Sequence, residues 1–196
     1  MNARAKRTAA TQEPLRTDGF LPLEDYGALG DGRSVALSGA DGSIDWWCVP
    51  NLDSPPLFDR LLDPEEGGRF VLAPEERFTV ERRYRPDSNV LETVFTTVEG
   101  RARLTESMNS GTAGRLPWAE LARRVEGIEG HVRFRFEMRP GGRAGTANPY
   151  HSTIGRHSVF HVGRVLGLVL HGEGVESEQD DDGVTGRFSV GAGERR

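Results

Sequence analysis

Asp45, Trp47, Asn51 and Asp53 lie close together in the chain and combine two carboxylates, an indole and an amide. An indole face offers flat apolar area to a sugar ring, and Asp or Asn beside it can hydrogen-bond hydroxyls. The same set suits a contact between domains, because tryptophan is common at interfaces. Core packing is the expectation for Trp46, and a domain interface for Trp47. Cleaving a glycosidic bond needs more, usually two carboxylic acids flanking the bond, one as acid and one as base or nucleophile. With 30 Asp and Glu residues, pairs such as Asp45 with Asp53 or Glu65 with Glu66 are easy to draw. Their spacing fixes no geometry, and no residue is assigned a catalytic role.

Other chemistries fare no better. His151, His157 and His161 are near neighbours in sequence, but a zinc site needs ligands that converge on one point. On a strand His157 and His161 share a face yet stand far apart, so they read as surface histidines. Gly27, Gly30 and Gly32 have no Lys-Ser/Thr after them and no βαβ pattern around them, which rules out a phosphate loop. Gln179-Asp180-Asp181-Asp182 lacks the alternation and closing Glu of a calcium loop and reads as a solvated turn. No metal and no cofactor is expected. Arg82-Arg83 and Arg123-Arg124 each send neighbouring charges to opposite faces of a strand, so neither pair makes one patch, and salt bridges or snorkelling at a sheet margin suffice to account for them.

The four candidate residues belong to the stretch 30–58, GDGRSVALSGADGSIDWWCVPNLDSPPLF, which holds two of the three tryptophans and the single cysteine. Two short apolar segments, 34–38 and 43–49, flank Gly39-Ala40-Asp41-Gly42. Asp-Gly supplies positive φ at little steric cost, so a tight β-hairpin is predicted. Period-two alternation places Ile44, Trp46 and Cys48 on one face and Asp45, Trp47 and Val49 on the other. Large apolar groups on both faces predict a strand covered on both sides, with Cys48 buried and structural.

Further along, residues 57–62 read as one helical turn stopped by Asp63-Pro64. Phe70-Val71-Leu72 is a short strand ending before Pro74, and residues 77–85 alternate as another. The clearest hairpin joins 89–97 to 101–107 through Val98-Glu99-Gly100, its threonines and β-branched residues suiting a half-covered sheet. Residues 120–125 and 131–138 are two more strands, separated by Glu126-Gly127-Ile128-Glu129-Gly130; in the second, Val132, Phe134, Phe136 and Met138 form the buried face. The Gly-rich run 140–149 is a loop, 158–162 and 164–171 are strands, and 187–190 is a last short strand. Many short strands between frequent turns indicate an all-β sandwich.

Ordered blocks along this chain resemble the opening of bacterial glycoside hydrolase family 15 proteins, the glucoamylase and trehalase-like group. They are DYGALGDGRSVALSGADGSIDWWCVPNLDSPPLFDRLLD, then Gly67-Gly68-Arg69-Phe70, RYRPDSNVLET from Arg83, and LARRVEG from Leu121, together covering roughly residues 22–140. The resemblance implies a large antiparallel β-sandwich, of the supersandwich kind, that precedes an (α/α)6 catalytic barrel. It implies that the barrel, normally in cis, is this domain's partner, and that the barrel supplies both catalytic glutamates for inverting hydrolysis of α-glucans or trehalose. Asp45, Trp47, Asn51 and Asp53 then become candidates for the barrel interface or for sugar contact. Relatives usually carry Arg-Phe-Asp-Ser-Pro where this chain has Asn51-Leu52-Asp53-Ser54-Pro55, and Thr-Asp where it has Thr105-Glu106.

Size and charge agree with such a role. A chain of 196 residues suits one domain with a sizeable core, and leaves no room for twelve barrel helices. A formal net charge of −5 gives no reason to expect nucleic acid, and no apolar run is long enough to span a membrane. One cysteine excludes an internal disulfide framework and suits a reducing compartment, and the start lacks an apolar leader, so a cytoplasmic location is expected. Residues 1–18 read as a disordered polar tail and 19–196 as the β-domain, ending where its last strand or strands, the linker and the barrel are due. The function expected is non-catalytic, packing on and stabilising the barrel; the alternative is a free-standing carbohydrate-binding or protein-interaction module.

Overall fold

A computed structural model of the protein describes residues 14–109, 119–141, 150–154, 157–162, 166–169, 175–180 and 182–196. The fold is all-β and antiparallel, with one single-turn 3-10 segment at Leu23–Asp25. Its strands are β1 (Tyr26–Gly30), β2 (Val35–Gly39), β3 (Ser43–Cys48), β4 (Pro56–Phe58), β5 (Arg69–Pro74), β6 (Thr79–Tyr84), β7 (Leu91–Thr96) and β8 (Gly100–Met108). They continue with β9 (Leu121–Arg139), β10 (Tyr150–Ile154), β11 (His157–Val162), β12 (Leu166–Val169), β13 (Glu176–Gln179) and β14 (Val184–Gly191). Among the described residues, eleven strands join in one sheet and β10, β11 and β12 form a second of three.

The large sheet is organised by β9, which is 19 residues long. Its first half, Leu121 to Gly130, pairs with β8 and so continues the order β6-β7-β8. Its second half lies between β5 and β14 and belongs to the layer containing β1, β2 and β3. The break expected at residues 126–130 is therefore not a turn but a bend within one strand. Opposite it, the β8 register slips between Arg101 and Ala102. Gly130 takes φ +62° there, and a Cβ on it would lie 2.1 Å from the Glu99 carbonyl oxygen. Only glycine fits this position. A bulge plus a glycine lets one strand leave one layer and enter the other.

The two halves enclose a common core. Val132, Phe134, Phe136 and Met138 are buried along β9 with exposed or half-buried neighbours between them, as the alternation predicts. Phe134 stacks on Phe188 of β14 at 5.5 Å and meets the edge of Phe95 from β7 at 5.8 Å. Phe78 adds an edge contact to Phe95 at 5.1 Å. These rings tie the β6-β7-β8 layer to the layer opposite, each buried phenyl contributing about 1.5–3 kcal/mol.

Three further expectations are corrected. Residues 57–62 form no helical turn: Pro56–Phe58 is a strand edge on β3, and the turn follows it. β5 runs through Pro74, which pairs with Phe134. β14 starts at Val184, closing a tight turn in which Asp180 Oδ1 accepts the N–H groups of Asp182 and Gly183 at 2.9 and 2.8 Å. The expected loop at 140–149 lies mostly outside the described residues.

Candidate functional site

The hairpin at residues 35–48 forms where the turn residues require it. Gly42 has φ +82°, its N–H bonds the Gly39 carbonyl at 3.0 Å, and a Cβ on it would sit 2.2 Å from the Leu72 carbonyl oxygen. Within the hairpin, though, strict alternation fails. Leu37 pairs with Trp46 and Ser38 with Ile44, so Asp45 is an extra residue, a bulge. Bulges re-aim side chains, and this one shifts the facing of everything after it by one place. Ile44 and Trp47 consequently both enter the core, at 0% and 3% exposure, while Trp46 is half-buried. Trp47, expected at a domain interface, is thus a core side chain, and Trp46, expected in the core, is half-buried.

Trp47 packs at 6.2 Å from Phe58, which in turn lies 6.4 Å from Phe70. Its face is spent on these rings and presents nothing to a ligand. Asn51 and Asp53 sit in the exposed loop after β3, with Leu52 60% exposed between them. The four candidate residues thus divide into two buried side chains and two on an open loop, and they do not form one surface.

Asp45 is fully buried and has acquired partners that its sequence neighbourhood does not announce. Its Oδ2 accepts from the Tyr26 hydroxyl at 2.6 Å and from Arg16 Nη2 at 2.7 Å. Arg16 also donates through Nε to Asp41 Oδ2 at 2.8 Å, through Nη2 to Ser43 Oγ at 2.8 Å and through Nη1 to the Gly19 carbonyl at 2.8 Å. Asp41 Oδ1 accepts from the Ser43 hydroxyl at 2.7 Å. Burial works to raise the Asp41 carboxyl, but the Arg16 charge overrides it and holds the group below the usual carboxylate range. Burial, together with the bond to Asp45, pushes the Tyr26 hydroxyl well up. Arg16 falls within the stretch read as polar tail. A single arginine in a polar run gives no sign that it will be captured by a hairpin folded later in the chain.

A second buried pair is equally silent in the sequence. Glu106 and Arg123 have side chains 0% and 3% exposed and meet at 2.9 Å. Arg123 further donates to the carbonyls of Phe70 at 3.0 Å and Gly42 at 2.6 Å, and lies 4.6 Å from the centre of the Phe70 ring. Glu106 Oε2 accepts from Ser38 at 2.7 Å, and Arg82 donates to Ser38 Oγ at 3.0 Å and to the Asp25 carbonyl at 2.6 Å. Arg82 and Arg123 do point away from Arg83 and Arg124, as alternation predicts. They run into the interior between the two layers, however, and not to a sheet margin. Glu106 is fully buried and faces this interior ion pair.

Chemically, these sites are closed. Asp41, Asp45, Glu92 and Glu106 are each engaged by arginine, Glu92 by Arg83 and Arg85 at 2.9 and 2.8 Å. Among the described residues no group of three or more His, Cys, Asp or Glu side chains converges as a metal site. His157 and His161 lie at opposite parts of β11, four positions apart. No helix among the described residues is long and apolar enough to cross a membrane.

A family model described as trehalase-like, N-terminal, matches residues 12–189. The chain belongs to that family. This trehalase-like N-terminal domain is 29% identical over 139 residues to a trehalase of Thermoplasma volcanium, a match covering 69% of the chain and 22% of that protein. It is 35% identical over 109 residues to a trehalase of Mycolicibacterium smegmatis, covering 55% of the chain and 15% of the relative. With trehalase 2 of Sulfolobus acidocaldarius the figure is 39% over 71 residues, covering 36% and 12%. The chain therefore spans less than a quarter of the length of the curated relatives it matches. No solved structure matches it.

Proposed function

We propose that this domain is the non-catalytic N-terminal part of a cytoplasmic trehalase-type protein of glycoside hydrolase family 15. Its work is to pack on and stabilise an (α/α)6 barrel that cleaves α-glucosidic bonds, those of trehalose or of α-glucans. The family match over residues 12–189 carries the reading, because the relatives that share it are trehalases several times longer than the match. The state of the acids supports it. Glycoside hydrolysis needs two carboxyl groups facing a shared space, and Asp41, Asp45, Glu92 and Glu106 are held by arginines instead. The loop with Asn51, Leu52 and Asp53 exposed is the proposed barrel contact.

The test is glucose release from trehalose and maltose by the 196-residue chain alone and by the same chain joined to a family 15 barrel. No release alone, with a barrel whose thermal stability depends on the domain, is the expected result. Release by the chain alone that is lost on changing a single Asp or Glu would overturn the proposal. Saturable sugar binding by the isolated chain would favour a free-standing binding module.

A further inference from the structure

Residues 14–20 form a strap over the β2–β3 hairpin. A small turn closes it, with N–H to carbonyl bonds between Thr17 and Phe20 at 2.8 and 3.0 Å, and Gly19 lies against Pro64. Leu15 and Phe20 are 64% and 36% exposed, so apolar burial holds the strap only weakly. Arg16 is the anchor, with four hydrogen bonds into the hairpin and to Gly19.

The other side of Asp45 is unfinished. Its Oδ1 is buried and has no hydrogen-bond partner, and Arg60 Nη1 stops 3.9 Å away. That is an ion-pair distance but not a hydrogen bond. Arg60 Nε is likewise buried without a partner. The Arg60 guanidinium thus stands beside the unmet Asp45 oxygen, its Nη1 just too far away to bond. Leaving a buried carboxylate oxygen unmet is costly, and a movement of the Arg60 side chain that closes this gap would satisfy it. Arg60 is backbone-anchored by its N–H to the Gly68 carbonyl at 3.0 Å, so the movement needs only its side chain.

We propose that Asp45 is the shared carboxylate of a two-position latch. In the closed position Arg16 holds it and the strap lies down. In the open position the strap lifts, Arg60 completes its bond to Asp45, and the buried carboxylate is never left without a cation. The strap can then open while the sheets stay intact, in keeping with local opening of weakly buried segments. Opening uncovers Asp41 and Ser43, which hold the Arg16 guanidinium in the closed position.

A double-mutant cycle on the 196-residue chain reads this directly. Arg16→Ala is expected to lower the melting temperature by about 2–4 °C, because Arg60 takes over. Arg60→Ala should lower it little or not at all. The double variant should lose far more than the sum of the two, since Asp45 then has no cation. Additive losses would overturn the latch. Should the double variant fail to fold, the side-chain Nε–H of Arg60 in Arg16→Ala decides by NMR. A shifted, slowly exchanging signal supports the exchange, and a signal unchanged from the parent overturns it.

Discussion

At the scale of single residues, Trp47 and Asp41 carry the sharpest expectations. Trp47 is a core side chain, so Trp47→Ala should cost about 3–5 kcal/mol in urea unfolding, and Trp47→Phe distinctly less. Loss of sugar binding in Trp47→Ala would accordingly report on folding before it reported on recognition. Asp41 titrates lower in the folded chain than in the unfolded one, so its contribution is full at neutral pH. It should fade as pH drops past about 4, the ordinary carboxyl value, toward the depressed folded one. Unfolding free energies measured between pH 7 and pH 3 should show a shallower acid limb in Asp41→Asn. Tyr26 has the opposite sign. Its raised hydroxyl favours the fold below about pH 10, and that contribution is lost as pH rises further.

Between elements, the buried Glu106–Arg123 pair joins the β8–β9 layer to the hairpin turn and to β5 through the carbonyls of Gly42 and Phe70. Removing one partner leaves the other charged, buried and unpaired. Arg123→Met should therefore destabilise by about 3–5 kcal/mol, while adding Glu106→Leu should recover a good part of that loss. Chemical unfolding of the single and double variants checks both statements. The bend in β9 is the second joint. Gly130→Ala forces a Cβ against the Glu99 carbonyl at a positive φ, and should lower the melting temperature by several degrees without changing the far-UV spectrum of the survivors.

For the whole molecule, the two layers share one strand and one aromatic core, so they should melt together. The chain's described core residues are buried between those layers. Among the described residues, the apolar side chains it presents outward include Leu52 in the loop after β3, Leu15 and Phe20 on the weakly held strap, and Leu23, Leu62 and Val98. If the proposed contact with a barrel is right, Leu52→Asp should leave the melting temperature of the isolated chain within about 2 °C and lower that of the chain joined to a barrel by more. Differential scanning calorimetry of the two forms distinguishes the outcomes.

Local patterns in the sequence determined what local forces decide. Asp41-Gly42 placed the hairpin because positive φ is cheap there, and strict alternation at 131–138 named the buried face because a strand's side chains point to opposite sides. The all-β class and the family followed from many such short signals in order. The tertiary structure decided where alternation breaks and which charges meet. The Asp45 bulge exists because β2 and β3 must keep pairing while both Ile44 and Trp47 fill the core. Arg16 reaches Asp45 across 29 positions and Arg123 reaches Gly42 across 81, distances over which sequence spacing carries no geometry. Burial then selects the partner, since a charge taken out of water has to find its counterion wherever the fold brings one.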